Sequence, residues 1–309
     1  MIRAEDLALS TMWNYPTARS GEEMVDTILQ AGFTKVELNY QVKPAFYPAI
    51  LAAVKAGRIE AVSVHNVFPK TDDARFGTDS MLLGYQDEDL RRMSVELTKR
   101  TLDHAAELGA KAVVVHPTEV PLSPEDFDIP LKKLIRRGRK NTPEYRALFA
   151  ELLARRNAAP YLDALRRSLE ELSEYVLTRG YPVCLGMENR SMCHQIPVFS
   201  EFETILRDFQ GSAVRIWLDT GHAIMMEEIG LQHMPLPKPV TDAIVGMHIH
   251  DAALGRDHFP PGSLPGMPLR PYLPLIEQSP VMVLEISSRC SARQAAQGAR
   301  WLAAQSAAQ

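Results

Sequence analysis

Eight short runs rich in β-branched and aliphatic residues, nearly all followed by a helical pattern, constrain this chain more than any other feature. They fall at Asp6–Ser10, Lys35–Asn39, Ile59–His65, Lys111–His116, Pro182–Glu188, Ala213–Asp219, Ala243–His250 and Val281–Glu285. Helical patterns lie between them, among them Gly21–Ala31, Asp87–Leu108, Tyr161–Arg179, Phe199–Phe209 and, at the end, Ala292–Ala304. Glycine or proline punctuates nearly every junction. Such alternation calls for parallel strands joined by helical crossovers. Eight units favour an α/β fold closed into a (β/α)8 barrel over an open doubly wound sheet, and no Gly-x-Gly-x-x-Gly follows the first strand. The expected organisation is one domain over residues 1–309, since no linker or low-complexity tract interrupts it.

The strand ends carry the chemistry. The third to eighth runs close on His65, His116, Glu188, Asp219, His248 or His250, and Glu285. In a parallel barrel those ends meet at one mouth, where catalytic residues of this architecture sit. Singly, each polar end is explained by a chain emerging into water. Six in succession, in a chain with only nine histidines, point to a site. Neutral imidazoles with carboxylates suit Zn2+, Mn2+ or Fe2+, whereas an all-oxygen set would suit Mg2+ or Ca2+. His248 and His250 share a strand face at a spacing of two, and spacing alone does not choose between them.

Charge and composition remove other classes. A net charge of −4 gives no global field for nucleic acid or an anionic membrane. No apolar run approaches the ~18 residues of a spanning helix, and the first residues carry no signal-peptide pattern. Three cysteines at no metal-finger spacing argue against a disulfide framework. The expectation is a reduced, cytoplasmic protein acting on a small molecule, with oligomerisation left open. No Gly-x-Ser-x-Gly turn accompanies Ser63, so a nucleophilic triad is not read.

With those ends in hand, the chain resembles the xylose isomerase-like TIM barrels. This superfamily unites sugar phosphate isomerases and epimerases with AP endonuclease family 2, the endonuclease IV type. The resemblance spans essentially all eight units. It rests on His65-Asn66, His116-Pro117, Glu188-Asn189, Asp219-Thr-Gly-His222, His248-Ile-His-Asp251, Asp257-His258 ahead of Pro261-Gly262, and Glu285. It implies a shared metal site on Glu188, Asp219, His248 and Glu285, the His-x-x-Asp match selecting His248. Glu188 and Glu285 would be the catalytic acid/base pair. The endonuclease branch adds ligands matching His65 and His116, which with Glu188 would hold a second ion, and His222 and His258 for a third. Where that branch has Asp-x-His, this chain has Arg256-Asp257-His258, with the acid one residue out of register. Asn189, Arg190, Arg256 and Asp257 are read as substrate contacts.

The paired histidines of the third and fourth strands tilt the expectation toward a multinuclear phosphoester hydrolase. It would use one to three divalent ions (Zn2+, Mn2+ or Fe2+) on a small, non-nucleic, phosphorylated or sugar-like substrate. The alternative is a one-metal sugar (phosphate) isomerase or epimerase with Glu188 and Glu285 moving the proton. A multinuclear iron oxidase is a further alternative.

One interval is long: 72 residues separate His116 from Glu188, so an insertion of about 121–160 is expected after the fourth strand. It carries six cations between Lys132 and Lys140, of which Lys132, Arg136 and Lys140 share a helical face. Either this is a solvated surface or it is a lid receiving an anion. Near the first strand's end, Trp13, Asn14 and Tyr15 are candidates for pocket lining or barrel packing, and Glu37 faces into the barrel with no assigned role.

Overall fold

A computed structural model describes residues 1–253 and 255–307. Its eight barrel strands are β1 (Leu7–Ser10), β2 (Lys35–Leu38), β3 (Glu60–His65), β4 (Ala112–Val115), β5 (Cys184–Glu188), β6 (Val214–Asp219), β7 (Ile244–Ile249) and β8 (Met282–Leu284). Each pairs in parallel with its sequence neighbours, and β1 pairs with both β2 and β8 to close the barrel. This is a closed (β/α)8 barrel. The helices are α1 (Gly21–Gln30), α2 (Tyr47–Lys55), α3 (Glu88–Leu108), α4 (Asp128–Arg136), α5 (Pro143–Arg155), α6 (Ala159–Arg179), α7 (Phe199–Asp208), α8 (Thr220–Ile229), α9 (Lys238–Asp242), α10 (Leu273–Gln278) and α11 (Ala292–Ala307). No helix among the described residues is long and apolar enough to cross a membrane.

The period-2 alternation of a strand does two jobs here. Outward residues such as Val36, Leu38, Val113, Val115, Leu185, Met187, Ile216 and Leu218 are buried in the layer shared with the helices. Inward residues fill the barrel: Ala8, Val62, Ala112, Val114, Trp217, Val281 and Val283 form a separate apolar cluster. Trp217 fits because the strands on either side of it carry glycines. A Cβ on Gly246 would lie 2.1 Å from its ring, and one on Gly186 would lie 3.3 Å away. Two residues further along the same inward rows come His116, Glu188, Asp219, His248 and Glu285. The apolar plug therefore forms the floor of whatever these side chains build.

The insertion is helical, comprising α4 and α5, and it crosses the mouth. The Lys132 ammonium pairs with Asp128 at 2.6 Å and donates to the Ser191 carbonyl at 3.0 Å. Arg136 reaches the Gly255 carbonyl at 3.5 Å and Lys140 the Glu227 carbonyl at 3.4 Å. The segment thus straps the loops after β5 and β7 to α8. Its shared-face cations are directed at backbone carbonyls and at Asp128, and none of them lines the central cavity. The anion-receiving lid is corrected on that ground.

Candidate active site at the barrel mouth

β6 delivers Asp219 directly into α8. The Asp219 carboxylate accepts from the His222 amide at 2.7 Å, capping a helix that begins at Thr220. Asp219 is thus both a strand end and a helix cap. The first turn of α8 swings His222 back over the strand ends, and the His222 Nδ1 donates to the Asn189 carbonyl at 2.9 Å. The Asn189 side chain is taken up by backbone partners and does not line the cavity. Its amide donates to the Asp219 carbonyl at 2.9 Å and its oxygen accepts from the Asp219 amide at 2.8 Å, stapling β5 to β6. The substrate contact expected of Asn189 is replaced by this structural role.

Four donors converge in a fully buried cluster: Glu188, Asp219, His248 and Glu285 can each offer an atom within 4.8 Å of the others. The tautomer of His248 follows from its surroundings. Its Nε2 lies 2.9 Å from the Glu37 carboxylate and donates to it. Its Nδ1 then faces Glu188 at 3.2 Å, Glu285 at 3.2 Å and Asp219 at 3.6 Å. One lone pair amid three carboxylates, all out of water, requires a cation or an extra proton. Burial acts to lower the His248 pKa, yet Glu285, Glu37 and Glu188 carry it well above its ordinary value. Burial likewise pushes Glu188 and Asp219 up, but the histidines around them hold both well below the usual carboxylate range. For Glu285, burial is outweighed by His248 and His258, leaving it at about 2. The donor chemistry fits a divalent ion, since neutral imidazole and carboxylates are its ordinary ligands.

Glu37 is the residue whose role composition and spacing left open. It accepts from Ser10 at 3.0 Å and Ser63 at 2.8 Å, so it is held in place while it orients His248. A carboxylate behind a ligating histidine fixes the ring and raises its basicity. Glu37→Gln is expected to weaken Mn2+ or Zn2+ binding by roughly 10–100-fold, read by competition with a chelator. Unchanged affinity would reduce Glu37 to packing.

Two further groups flank the cluster. His65, His116 and Glu188 come together, as do His222, His250 and His258. His65 places its Nδ1 3.0 Å from the Asn66 carbonyl, so its Nε2 faces Glu188 at 3.3 Å. His116 has both nitrogens engaged. Its Nδ1 contacts Asp79 at 3.0 Å, and its Nε2 contacts the Arg190 guanidinium and, at 2.8 Å, Glu188. His250 is similarly committed: its Nδ1 accepts from the His258 amide at 3.0 Å, so its Nε2–H donates to Asp219 at 3.0 Å. The structure thus separates two histidines that spacing could not. His248 stands among the carboxylates and His250 buttresses Asp219.

His258 has a left-handed backbone, φ +59°, which breaks the strand alternation. Both Asp257 and His258 therefore line the cavity, 2.9 Å apart, with His258 3.5 Å from Glu285. The neighbouring Arg256 is exposed and does not line it, against expectation. Trp13 donates to the Cys290 carbonyl and Asn14 to α1, so that trio packs the barrel, and Met12 reaches the cavity instead. The cavity measures about 120 Å3 and also takes in Asn39, Tyr40 and Asp79. Nothing in the local pattern of the long loop after β3 marked Asp79. A larger cavity of about 490 Å3 lies at the start of β6, beside Val214 and Arg215, away from these strand ends.

The xylose isomerase-like TIM barrel family model matches residues 25–305. The chain belongs to this family. No curated protein matches it by sequence. Among solved structures, a D-tagatose 3-epimerase-like protein is similar over 97% of this chain and 96% of its own, with 16% identity and a TM-score of 0.66. The apo 3-keto-D-glucoside 4-epimerase of E. coli aligns over 97% and 99%, also at 16% identity and 0.66. A Thermus thermophilus protein soaked with ZnCl2 aligns over 97% and 98% at 23% identity and a TM-score of 0.58. At these identities the likeness establishes the fold. The four-donor cluster is where this xylose isomerase-like barrel concentrates its buried charge.

Proposed function

We propose that this protein is a divalent-metal-dependent sugar isomerase or epimerase, moving a proton on the carbon beside a carbonyl of a small polyhydroxy substrate. One observation carries the reading. Among the described residues, the Glu188–Asp219–His248–Glu285 group points one imidazole nitrogen at three carboxylates, whereas His116 and His250 in the flanking groups are already engaged. That supports one ion, and two of its four ligands are glutamates. The sugar epimerases among similar folds agree with it. This reading displaces the multinuclear hydrolase from first place.

A divalent ion held by the four would polarise a carbonyl and its neighbouring hydroxyl. The chain's residues do the rest. Glu188 from β5 and Glu285 after β8 both rest as carboxylates, so one would take a proton from carbon and the other would deliver one after taking it up from a substrate hydroxyl or water. His222, His258 and Asp257 line the cavity as hydroxyl partners, and the Trp217 plug below keeps water from the floor. The hydrolase reading keeps one observation in its favour, the His65 Nε2 facing Glu188.

Metal content per chain by mass spectrometry, with deuterium uptake from D2O into ketoses and sugar phosphates followed by NMR, tests this. The expected result is one ion, unaffected by His65→Ala/His116→Ala, and deuterium at a carbon beside the carbonyl. Two or more ions, falling by about one in the double variant, with phosphate release and no deuterium uptake, would transfer the site to phosphoester hydrolysis.

A further inference from the structure

We propose that Arg190 is an anion-binding residue of this site, and that Asp79 holds its guanidinium until a substrate carboxylate or phosphate takes Asp79's place. The proposal rests on the isomerase or epimerase reading for the position of the reacting carbon and adds a substrate class to it. Arg190 is 6% exposed and follows Glu188 by two residues, so its charge is committed to the mouth. One guanidinium nitrogen donates to the Asp79 Oδ1 at 2.6 Å, and the other contacts His116. The same Asp79 oxygen lies 3.0 Å from the His116 Nδ1. A planar, buried guanidinium fork is suited to carboxylate or phosphate oxygens.

The two partners are unequally held. The Arg190 side chain is 5% exposed, whereas that of Asp79 is 58% exposed. The carboxylate can withdraw into water and the cation cannot. Asp79 and Tyr40 also form the wall between the inner cavity and an outer one of about 260 Å3, which Lys70 and Gln41 line. Withdrawal of Asp79 joins the two. The Val67–Asp79 stretch has room for it, since cavities of about 370 Å3 and 470 Å3 flank the loop at Thr71, Phe76 and Phe68. A neutral sugar would leave the buried Arg190 with only its longer, 3.9 Å carboxylate contact, to Glu188, if Asp79 withdrew, an unfavourable exchange. An anionic group replaces the carboxylate oxygen for oxygen. Lys132 and Arg136 of α4 are directed elsewhere, at backbone carbonyls and Asp128.

Calorimetric titration of the metal-loaded full chain with inorganic phosphate, and separately with glycolate, tests the exchange. Asp79→Asn is expected to tighten binding at least ~10-fold by removing the internal competitor, and Arg190→Gln to weaken it by as much. Arg190→Lys, which keeps the charge without the fork, should fall between. A preference for phosphate indicates a phosphorylated substrate, and one for glycolate a hydroxy or keto acid. Unaltered anion affinity in both Asp79→Asn and Arg190→Lys overturns the proposal even if Arg190→Gln fails to fold. Because the readout is binding, it separates from the function reading. Deuterium uptake without the anion pattern sinks only this proposal, and the anion pattern without deuterium uptake on any substrate sinks only the isomerase or epimerase reading.

Discussion

Glu285→Gln is expected to lower kcat by about 1,000-fold or more, with KM changed far less. A positioned acid or base contributes roughly 100- to 10,000-fold, and Glu285 would lose both the charge that takes a proton and the negative ligand that neutralises the ion. Its carboxyl, held at about 2 against the opposing effect of burial, is ionised throughout the neutral range. The amide cannot accept a proton from carbon. Because glutamine still offers an oxygen donor, rates are to be normalised to bound metal in each preparation. A variant that retains metal and turns over at more than about a tenth of the wild-type rate would remove Glu285 from proton transfer. It would leave that task to Glu188 alone.

Gly246→Ala is expected to destabilise the fold by about 2–3 kcal/mol, a drop in Tm of roughly 3–5 °C. The new methyl would sit 2.1 Å from the Trp217 ring, in a barrel interior where a Cβ on Gly186, across the ring, would also be crowded. Trp217 is fully buried, and its ring centroid lies 5.2 Å from that of His248. Any displacement therefore reaches the site floor. Thermal unfolding followed by circular dichroism measures the loss. Trp217→Leu combined with Gly246→Ala should recover part of it, because the two residues share one space. A Tm within about 1 °C of wild type would show that the ring moves freely and that the plug is loosely packed.

The residues show why some of this was legible in the chain and some was not. Strand alternation is local: once Val214–Asp219 is a strand with Trp217 inward, Asp219 must face inward too. The same rule carries Val283 to Glu285 and Gly186 to Glu188. Barrel closure then needs only eight such units, and the strand-end histidines and carboxylates reach one mouth by topology. The 72-residue interval likewise exposed the insertion, because α4 and α5 have no place in a minimal βα unit.

Partnership was not local. Whether Asn189 touches a ligand or staples two strands depends on Asp219, 30 residues away in sequence and adjacent in space. His248 and His250 are equivalent by spacing, and only Glu37 on β2 and the His258 amide distinguish them. Asp79 lies in a loop without periodicity, and the left-handed residue at His258 resets the alternation so that His258 joins Asp257 at the cavity while Arg256 is exposed. The chain by itself determined the eightfold alternation and which strand-end side chains arrive at the mouth, since both follow from backbone period and chain order. Only the tertiary structure decided which of those side chains keep a free lone pair and which are taken, because hydrogen-bond saturation is settled between strands that are distant in sequence.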